Sequence, residues 1–358
     1  MIKDKSIFIK NIYYMLSYAF TTLNQGGYED VATEEFENIH NLFAAILAKG
    51  ISRQLKQGLY REYLNRKENV VAVRGKIDMP GTIQNQLSRK RVLTCEYDEL
   101  SENNLLNQIL KTTAMLLLRH ARVDQEYKSD LKKEMLFFSN VDTIDPSTIR
   151  WTAIRFQRNN NTYRMLISLC QLILEGMLLT TESGEYKLAS FIDQQRMNRL
   201  YEKFILEYYA QEFGSVVKGF SSKALQIPWQ LDDGNDALLP VMQTDITLTY
   251  GNRTLIIDAK YYDRTMQTNF GRQTLHSGNM YQIFTYVKNK DAELKGRDHQ
   301  VSGMLLYAKT DEDIVPDNVY LMSGNKISVK TLDLNLDFSQ IAFQLNQIIE
   351  DHFGLVKP

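Results

Sequence analysis

The chain has 358 residues, 44% hydrophobic and 24% charged, the composition of a globular protein with material for a sizeable core and, by length, for two domains. Its 42 basic and 43 acidic residues leave a net charge of −1, which excludes holding nucleic acid by bulk charge and leaves only local patches or a partner. Two cysteines without a C-x-x-C pair give neither a disulfide framework nor a cysteine zinc site.

In chain order, "NIYYMLSYAF" (11–20) has helical spacing with a wide apolar face, and a second helical pattern covers 34–56. "NVVAVRGKIDMPGTI" (69–83) is rich in β-branched residues broken by Gly75, Pro80 and Gly81, which predicts strands and turns. Amphipathic helices are expected over 102–122 and 161–179. The polar "TTESGEYKLAS" (180–190) is the best boundary, dividing the chain into an N-terminal domain, 1–185, of helices with a small β unit, and a C-terminal domain, 186–358. Past it come a helix (193–213) with Leu200, Phe204 and Tyr208 on one face, strands at 224–231, 239–250 and 253–262, a helix at 276–290 and a strand at 302–309. No internal repeat, low-complexity tract, signal-like start or run of about 18 apolar residues appears, so the chain is expected to be cytoplasmic and to have no membrane contact.

The third strand ends "LIIDAKYY", where an aspartate and a lysine are expensive to bury. Asp258 and Lys260 are two apart and share a face. Gly251-Asn252 is a strong hairpin signal, and that hairpin brings Asp245 beside Asp258. Two carboxylates alone repel and one pKa rises. A hard divalent cation between them removes the repulsion, and one or two Mg²⁺ ions suit the oxygen ligands, with the backbone carbonyl of Ala259 as a further donor. Lys260 then orients or helps deprotonate the water that attacks a phosphodiester. The alternative is a strand-end ion pair.

Asp, about a dozen residues, then Asp-x-Lys after an apolar strand resembles the PD-(D/E)xK nuclease signature. Gln282 and Tyr286, at i and i+4 of the following helix, resemble the Q-x-x-x-Y helix of RecB-like members, which lies along the active site and adds these two to the catalytic set. Their alternative is an amphipathic helix with a buried tyrosine. Glu202 is the candidate for an extra metal-facing carboxylate, with Glu207 a weaker rival and a solvated helix face the alternative. His276 either contacts the scissile phosphate of the DNA or caps the helix start with Ser277.

"NIYYMLSYA", "GKIDMPGTI", "TDI", "DAKYY" and "HSGNMYQIFTYV", in this order over nearly the whole chain, together resemble the McrC family, the nuclease subunits of modification-dependent McrBC restriction. The resemblance implies a PD-(D/E)xK domain with a central mixed sheet flanked by helices, preceded by a mixed N-terminal domain. It makes Asp245, Asp258 and Lys260 the catalytic set of a type IV restriction endonuclease acting on double-stranded, methylcytosine-containing DNA. It implies a partner, a hexameric McrB-like AAA+ GTPase, on which the N-terminal half docks and whose hydrolysis it stimulates. The chain has no GxxxxGK[ST] loop and is not expected to bind the nucleotide itself. Stimulation by an inserted cation has candidates in Arg74 and Lys76, and in Arg89, Lys90 and Arg91; solvated basic loops are the alternative. Two further readings stay open: a self-sufficient RecB-like nuclease, and an inactive ring-binding regulator.

Overall fold

A computed structural model of the chain describes residues 6–357, apart from 21–22, 24–27, 29–30, 32–33, 157–160, 181–185, 190–191, 234–237, 263–264, 270–271 and 310–314. The core of the expected boundary, 181–185, lies outside the described residues. Among the described residues no helix is long and apolar enough to cross a membrane. The chain falls into two compact units: one holds residues 1–42, 175–177 and 189–358, the other 43–174 and 178–188.

That division differs from a single cut near 185. The first helix, α1 (Ser6–Ala19), belongs with the C-terminal half. Asn11 donates from Nδ2 to the carbonyls of Leu334 (2.7 Å) and Leu336 (2.8 Å). Tyr14 stacks on Phe338 with ring centres 4.3 Å apart, and Tyr18 meets Phe204, Tyr208 and Phe338. The wide apolar face read at 11–20 therefore has its partners about 190 and 320 residues further on, where no local signal records them.

The unit of residues 43–174 and 178–188 carries a three-stranded antiparallel sheet in the order β1-β3-β2, from β1 (Glu62–Val70), β2 (Lys76–Ile77) and β3 (Leu93–Ser101). Most of 69–83 is not strand. Met79–Leu87 forms a helix, α2, whose start is Asp78, accepting from the Gly81 N–H at 3.1 Å. Pro80 stands in its first turn, where a missing N–H costs nothing. A D-x-P-G string that reads as a turn is here a helix N-terminus. Gly75 has φ +67°, and a Cβ there would meet the Glu96 carbonyl at 2.5 Å, so only glycine fits against β3. The expected helix at 102–122 is Leu105–Arg119 (α3), capped by Asn104. Within the 161–179 stretch the helix is Asn161–Met177 (α4), whose Tyr163 hydroxyl donates to Asn107 Oδ1 at 2.7 Å and accepts from the Tyr60 N–H at 2.8 Å.

The other unit is a mixed α+β arrangement built on a six-stranded sheet flanked by helices. The helix read at 193–213 is Gln194–Tyr209 (α5), closed by a π-turn over Ala210–Gly214. The sheet contains β4 (Ser221–Lys223), β5 (Ile246–Tyr250), β6 (Arg253–Lys260), β7 (Gln300–Ala308), β8 (Asn318–Met322) and β9 (Asn325–Leu332), in the spatial order β8-β9-β7-β6-β5-β4. β5 and β6 form the hairpin expected at Gly251-Asn252, with Tyr250 opposite Arg253, and Gly251 takes the positive φ (+59°) that the turn demands. β6 then pairs in parallel with β7, and β7 with β9. Ser277–Glu293 (α6) covers one face of the sheet: Ile283, Tyr286 and Val287 pack with Ile256, Leu305 and Tyr307. Gly303 permits this approach, since a Cβ there would meet Val287 Cγ2 at 2.7 Å and Ile283 Cγ1 at 2.9 Å. The long expected strands at 224–231 and 239–250 are interrupted; Gln226–Ile227 and Met242–Gln243 pair separately from the main sheet.

Candidate active site

The β5–β6 register stops with Ile246 opposite Ile257, while β6 continues beside β7 as far as Lys260 opposite Tyr307. Asp245 enters at the edge this leaves open, and its Oδ2 accepts from the Ala259 N–H at 3.1 Å. Ala259, expected as a carbonyl ligand, thus meets the site through its N–H. Asp258 and Lys260 lie on the same face as Ile256, facing α6.

Both charged groups are buried, with 1% of Asp258 and 8% of Lys260 exposed. The costly burial raised by the sequence is therefore realised. Lys260 Nζ donates to Asp258 Oδ1 at 2.9 Å and lies 4.0 Å from Asp245 Oδ2. The ion pair foreseen as an alternative does form, but it leaves something over. Among the described residues Asp258 Oδ2 is buried without a hydrogen-bond donor, and the carboxylate next to it, Asp245, has no proton to give when ionised. Burial pushes the Asp258 pKa up; Lys260 pulls it down and Asp245 raises it again, for a net rise. Burial opposes the Lys260 charge, but the Asp258 and Asp245 carboxylates outweigh it and raise its pKa. Two carboxylates, one with an orphaned buried oxygen, form a donor set that fits a hard divalent cation retaining most of its water. Among the described residues no group of three His, Cys, Asp or Glu side chains is placed to hold a metal ion.

α5 supplies the rest of the surroundings. Glu202 is not on a solvated face: its pKa is pushed up to about 7, first by burial and next by Asp245. Asn198 donates from Nδ2 to Glu202 Oε1, and its Oδ1 accepts from the Tyr261 N–H at 2.7 Å. Gln194 reaches the Tyr261 carbonyl at 3.4 Å. Gln194, Asn198 and Glu202 are i, i+4 and i+8, one polar stripe beside the apolar one. Reading only the apolar positions of this helix missed the first two; the stripe was their signal. Glu207, five residues beyond Glu202, is turned away from it by about 140° around the helix.

Gln282 and Tyr286 do come together, with Gln282 Nε2 donating to the Tyr286 hydroxyl at 2.9 Å. That hydroxyl donates to the Gln243 carbonyl at 3.0 Å. Tyr286 is buried, and the pair holds the segment that precedes Asp245. Thr244 is fixed from its other side, exchanging hydrogen bonds of 2.9–3.0 Å with the backbone of Leu225. His276 is the N-cap residue of α6, but its side chain makes no capping bond, and its ring packs on Tyr262 at 5.4 Å between centres.

In the other unit, Arg74 lies 4.0 Å over the Tyr97 ring and 3.4 Å from Glu99. Lys76 is exposed on β2. Arg89, Lys90 and Arg91 are exposed and, with Gln86, Val92 and Leu93, line an open cavity of about 530 Å³. Arg89 closes α2 in the left-handed region, at φ +57°.

A family model described as "McrBC 5-methylcytosine restriction system component" matches residues 4–308. The chain is 25% identical over 348 residues to the type IV methyl-directed restriction enzyme EcoKMcrBC of Escherichia coli strain K12, covering 96% of this chain and 97% of that one. Two solved structures are similar. A half-complex from a tetradecameric assembly of Thermococcus gammatolerans McrB AAA+ hexamers with bound McrC matches at 19% identity and TM-score 0.49, over 94% of this chain and 76% of that one. The cryo-EM structure of the Thermococcus gammatolerans McrBC complex matches at 22% identity and TM-score 0.41, over 59% and 60%.

Proposed function

The chain belongs to the family of McrBC 5-methylcytosine restriction system components, and from that premise we propose that it is the DNA-cleaving subunit of such a system, a type IV endonuclease of PD-(D/E)xK type. In this reading it works with a hexameric McrB-like AAA+ GTPase, cuts double-stranded DNA that carries methylcytosine, and stimulates its partner's GTP hydrolysis. One observation carries the nuclease assignment: the buried Asp258–Lys260 pair with half-buried Asp245 beside it, and an oxygen on Asp258 unpartnered among the described residues. Buried charge is costly and survives where it is used.

Asp245 and Asp258 would hold the Mg²⁺, one ion or two, with Glu202 as the neighbouring carboxylate. The metal, when bound, neutralises the carboxylates and stabilises the charge that grows on the scissile phosphate. Lys260, paired with Asp258 and near Asp245, would orient the attacking water or help deprotonate it, or steady the developing oxyanion. Gln282 and Tyr286 set the approach of Asp245 through Gln243. His276, next to Tyr262, is the group in this constellation suited to a DNA phosphate. The GTPase contact is assigned to the unit of residues 43–174, where Arg89, Lys90 and Arg91 project from one turn and Arg74 and Lys76 from another; Arg74 is already engaged by Tyr97 and Glu99.

The test is plasmid cleavage, methylated and unmethylated, with and without the partner, GTP and Mg²⁺, by the wild type and Asp258→Asn. Cleavage of methylated DNA that needs all three and is lost in Asp258→Asn is the expected result. Cleavage without the partner would favour the self-sufficient nuclease, and undiminished cleavage by Asp258→Asn would remove the site assignment.

A further inference from the structure

β6 runs out of ladder just where its chemistry begins. Its pairing with β5 ends at Ile257, and its pairing with β7 ends at Lys260. Tyr261, the next residue, is 8% exposed. A buried peptide N–H without an acceptor costs about 1–3 kcal/mol, so something must stand in for the missing strand. α5 does so with side chains: Asn198 accepts the Tyr261 N–H at 2.7 Å, and Gln194 donates to its carbonyl at 3.4 Å.

The Asn198 amide has a second job that fixes its orientation. With Oδ1 committed to the Tyr261 N–H, the NH₂ group must face Glu202, and it donates to Oε1. A carboxylate cannot replace it without placing two like charges together. Glu202 is in turn within reach of the charges of Asp245 and Lys260. One neutral side chain therefore ties the backbone leaving Lys260 to the carboxylate beside Asp245. Simple satisfaction of a peptide group would not require an amide with its donor turned to the site.

We propose that Asn198, supported by Gln194, is a positioning residue for DNA cleavage, fixing Lys260 along its strand and Glu202 against Asp245 through two hydrogen bonds of opposite polarity. This rests on the nuclease reading above.

The experiment measures single-turnover cleavage by the full chain with its GTPase partner, GTP and Mg²⁺, for Asn198→Ala, Asn198→Asp and, in parallel, Asp258→Asn. Asn198→Ala removes both bonds. Asn198→Asp keeps the acceptor for Tyr261, loses the donor to Glu202 and sets a like charge in its place. Removal of groups that orient ligating side chains typically lowers activity about 10–100-fold, and that loss is expected in the maximal rate of both Asn198 variants. The DNA concentration for half-maximal rate and the stimulation of GTP hydrolysis should stay at wild-type values. If Asn198→Ala fails to fold, Asn198→Asp decides alone, because it retains the backbone bond. A folded variant cutting within about twofold of wild type overturns the inference, as does a loss that lies entirely in DNA affinity. If Asp258→Asn also cuts normally, the nuclease reading itself has failed; if Asp258→Asn is dead and the Asn198 variants are normal, only the positioning role has.

Discussion

Replacing Lys260 by methionine isolates the charge at the site, because methionine keeps most of the stem volume and removes the ammonium. Asp258 would remain, 1% exposed, with its Oδ1 now as unpartnered as its Oδ2 and with Asp245 still beside it. Removing one partner of a buried pair typically costs about 3–5 kcal/mol. A unit of this size shifts its melting temperature roughly 2–4 °C per kcal/mol, so Lys260→Met should melt about 6–20 °C below wild type at pH 8. The deficit depends on pH in a definite direction. The folded pKa of Asp258 is raised above its unfolded value, and loss of Lys260 removes the pull that lowers it. The native state therefore binds the proton more tightly than the unfolded chain, and stability falls as pH rises through the folded pKa. At pH 5 the carboxyl takes up its proton and the gap to wild type should shrink. The double variant Lys260→Met/Asp258→Asn, with no fully buried charge left and Asp245 still held by the Ala259 N–H, should regain most of the loss. Calorimetric melts of the four proteins at both pH values complete the cycle. A Lys260→Met melt equal to wild type at pH 8, or a deficit identical at the two pH values, would refute the argument that an unpaired buried carboxylate sets the cost. For the same reason Asp258→Asn, not a lysine variant, is the clean way to silence the site.

Tyr286→Phe strips the hydroxyl from between Gln282 and the Gln243 carbonyl; it should destabilise by about 1–3 kcal/mol and slow cleavage without changing the Mg²⁺ concentration for half-maximal rate, as measured by metal titration of the cleavage assay. Gly303→Ala forces a methyl to within 2.7 Å of Val287; overpacking of this kind costs about 1–3 kcal/mol, visible as a lower denaturant midpoint, and should slow cleavage because α6 carries Tyr286. Arg89→Gly relieves a left-handed backbone at φ +57° and should stabilise by about 1 kcal/mol, yet it should lower the stimulation of partner GTPase in a steady-state assay if Arg89 is the inserted cation. Stimulation unchanged in Arg89→Gly would shift that role to Lys90, Arg91 or the Arg74–Lys76 turn.

The hairpin was legible because period-2 alternation and Gly251-Asn252 are local signals, and it alone brought Asp245 to Asp258. The Q-x-x-x-Y pair was legible as an i, i+4 spacing, but not its target, since the Gln243 carbonyl lies 43 residues away. Asn198 escaped notice because an asparagine on a helix face is commonplace until its strand-end partner is known. Asp78-Met79-Pro80-Gly81 misled because the residues that open a helix are also those that make a turn. The costly burial of Asp258 and Lys260 was legible in the apolar run Leu255-Ile256-Ile257 that precedes them, but the helix side chains that meet the strand end at Tyr261 were not.

The attachment of the first helix to the last third of the chain also has a consequence for synthesis. On the ribosome α1 is made first, and Phe338, on which Tyr14 and Tyr18 stack, follows about 320 residues later. At roughly 5–20 residues per second that interval is some tens of seconds. During it the unit of residues 43–174 can complete its own core, whereas the aromatic face of α1 waits, open to chaperones. In the reading proposed above, a nascent chain thus carries the unit assigned to the GTPase well before it carries a finished cutting site, so a ribosome that stalls early would release no competent nuclease into a cell whose own DNA is within reach.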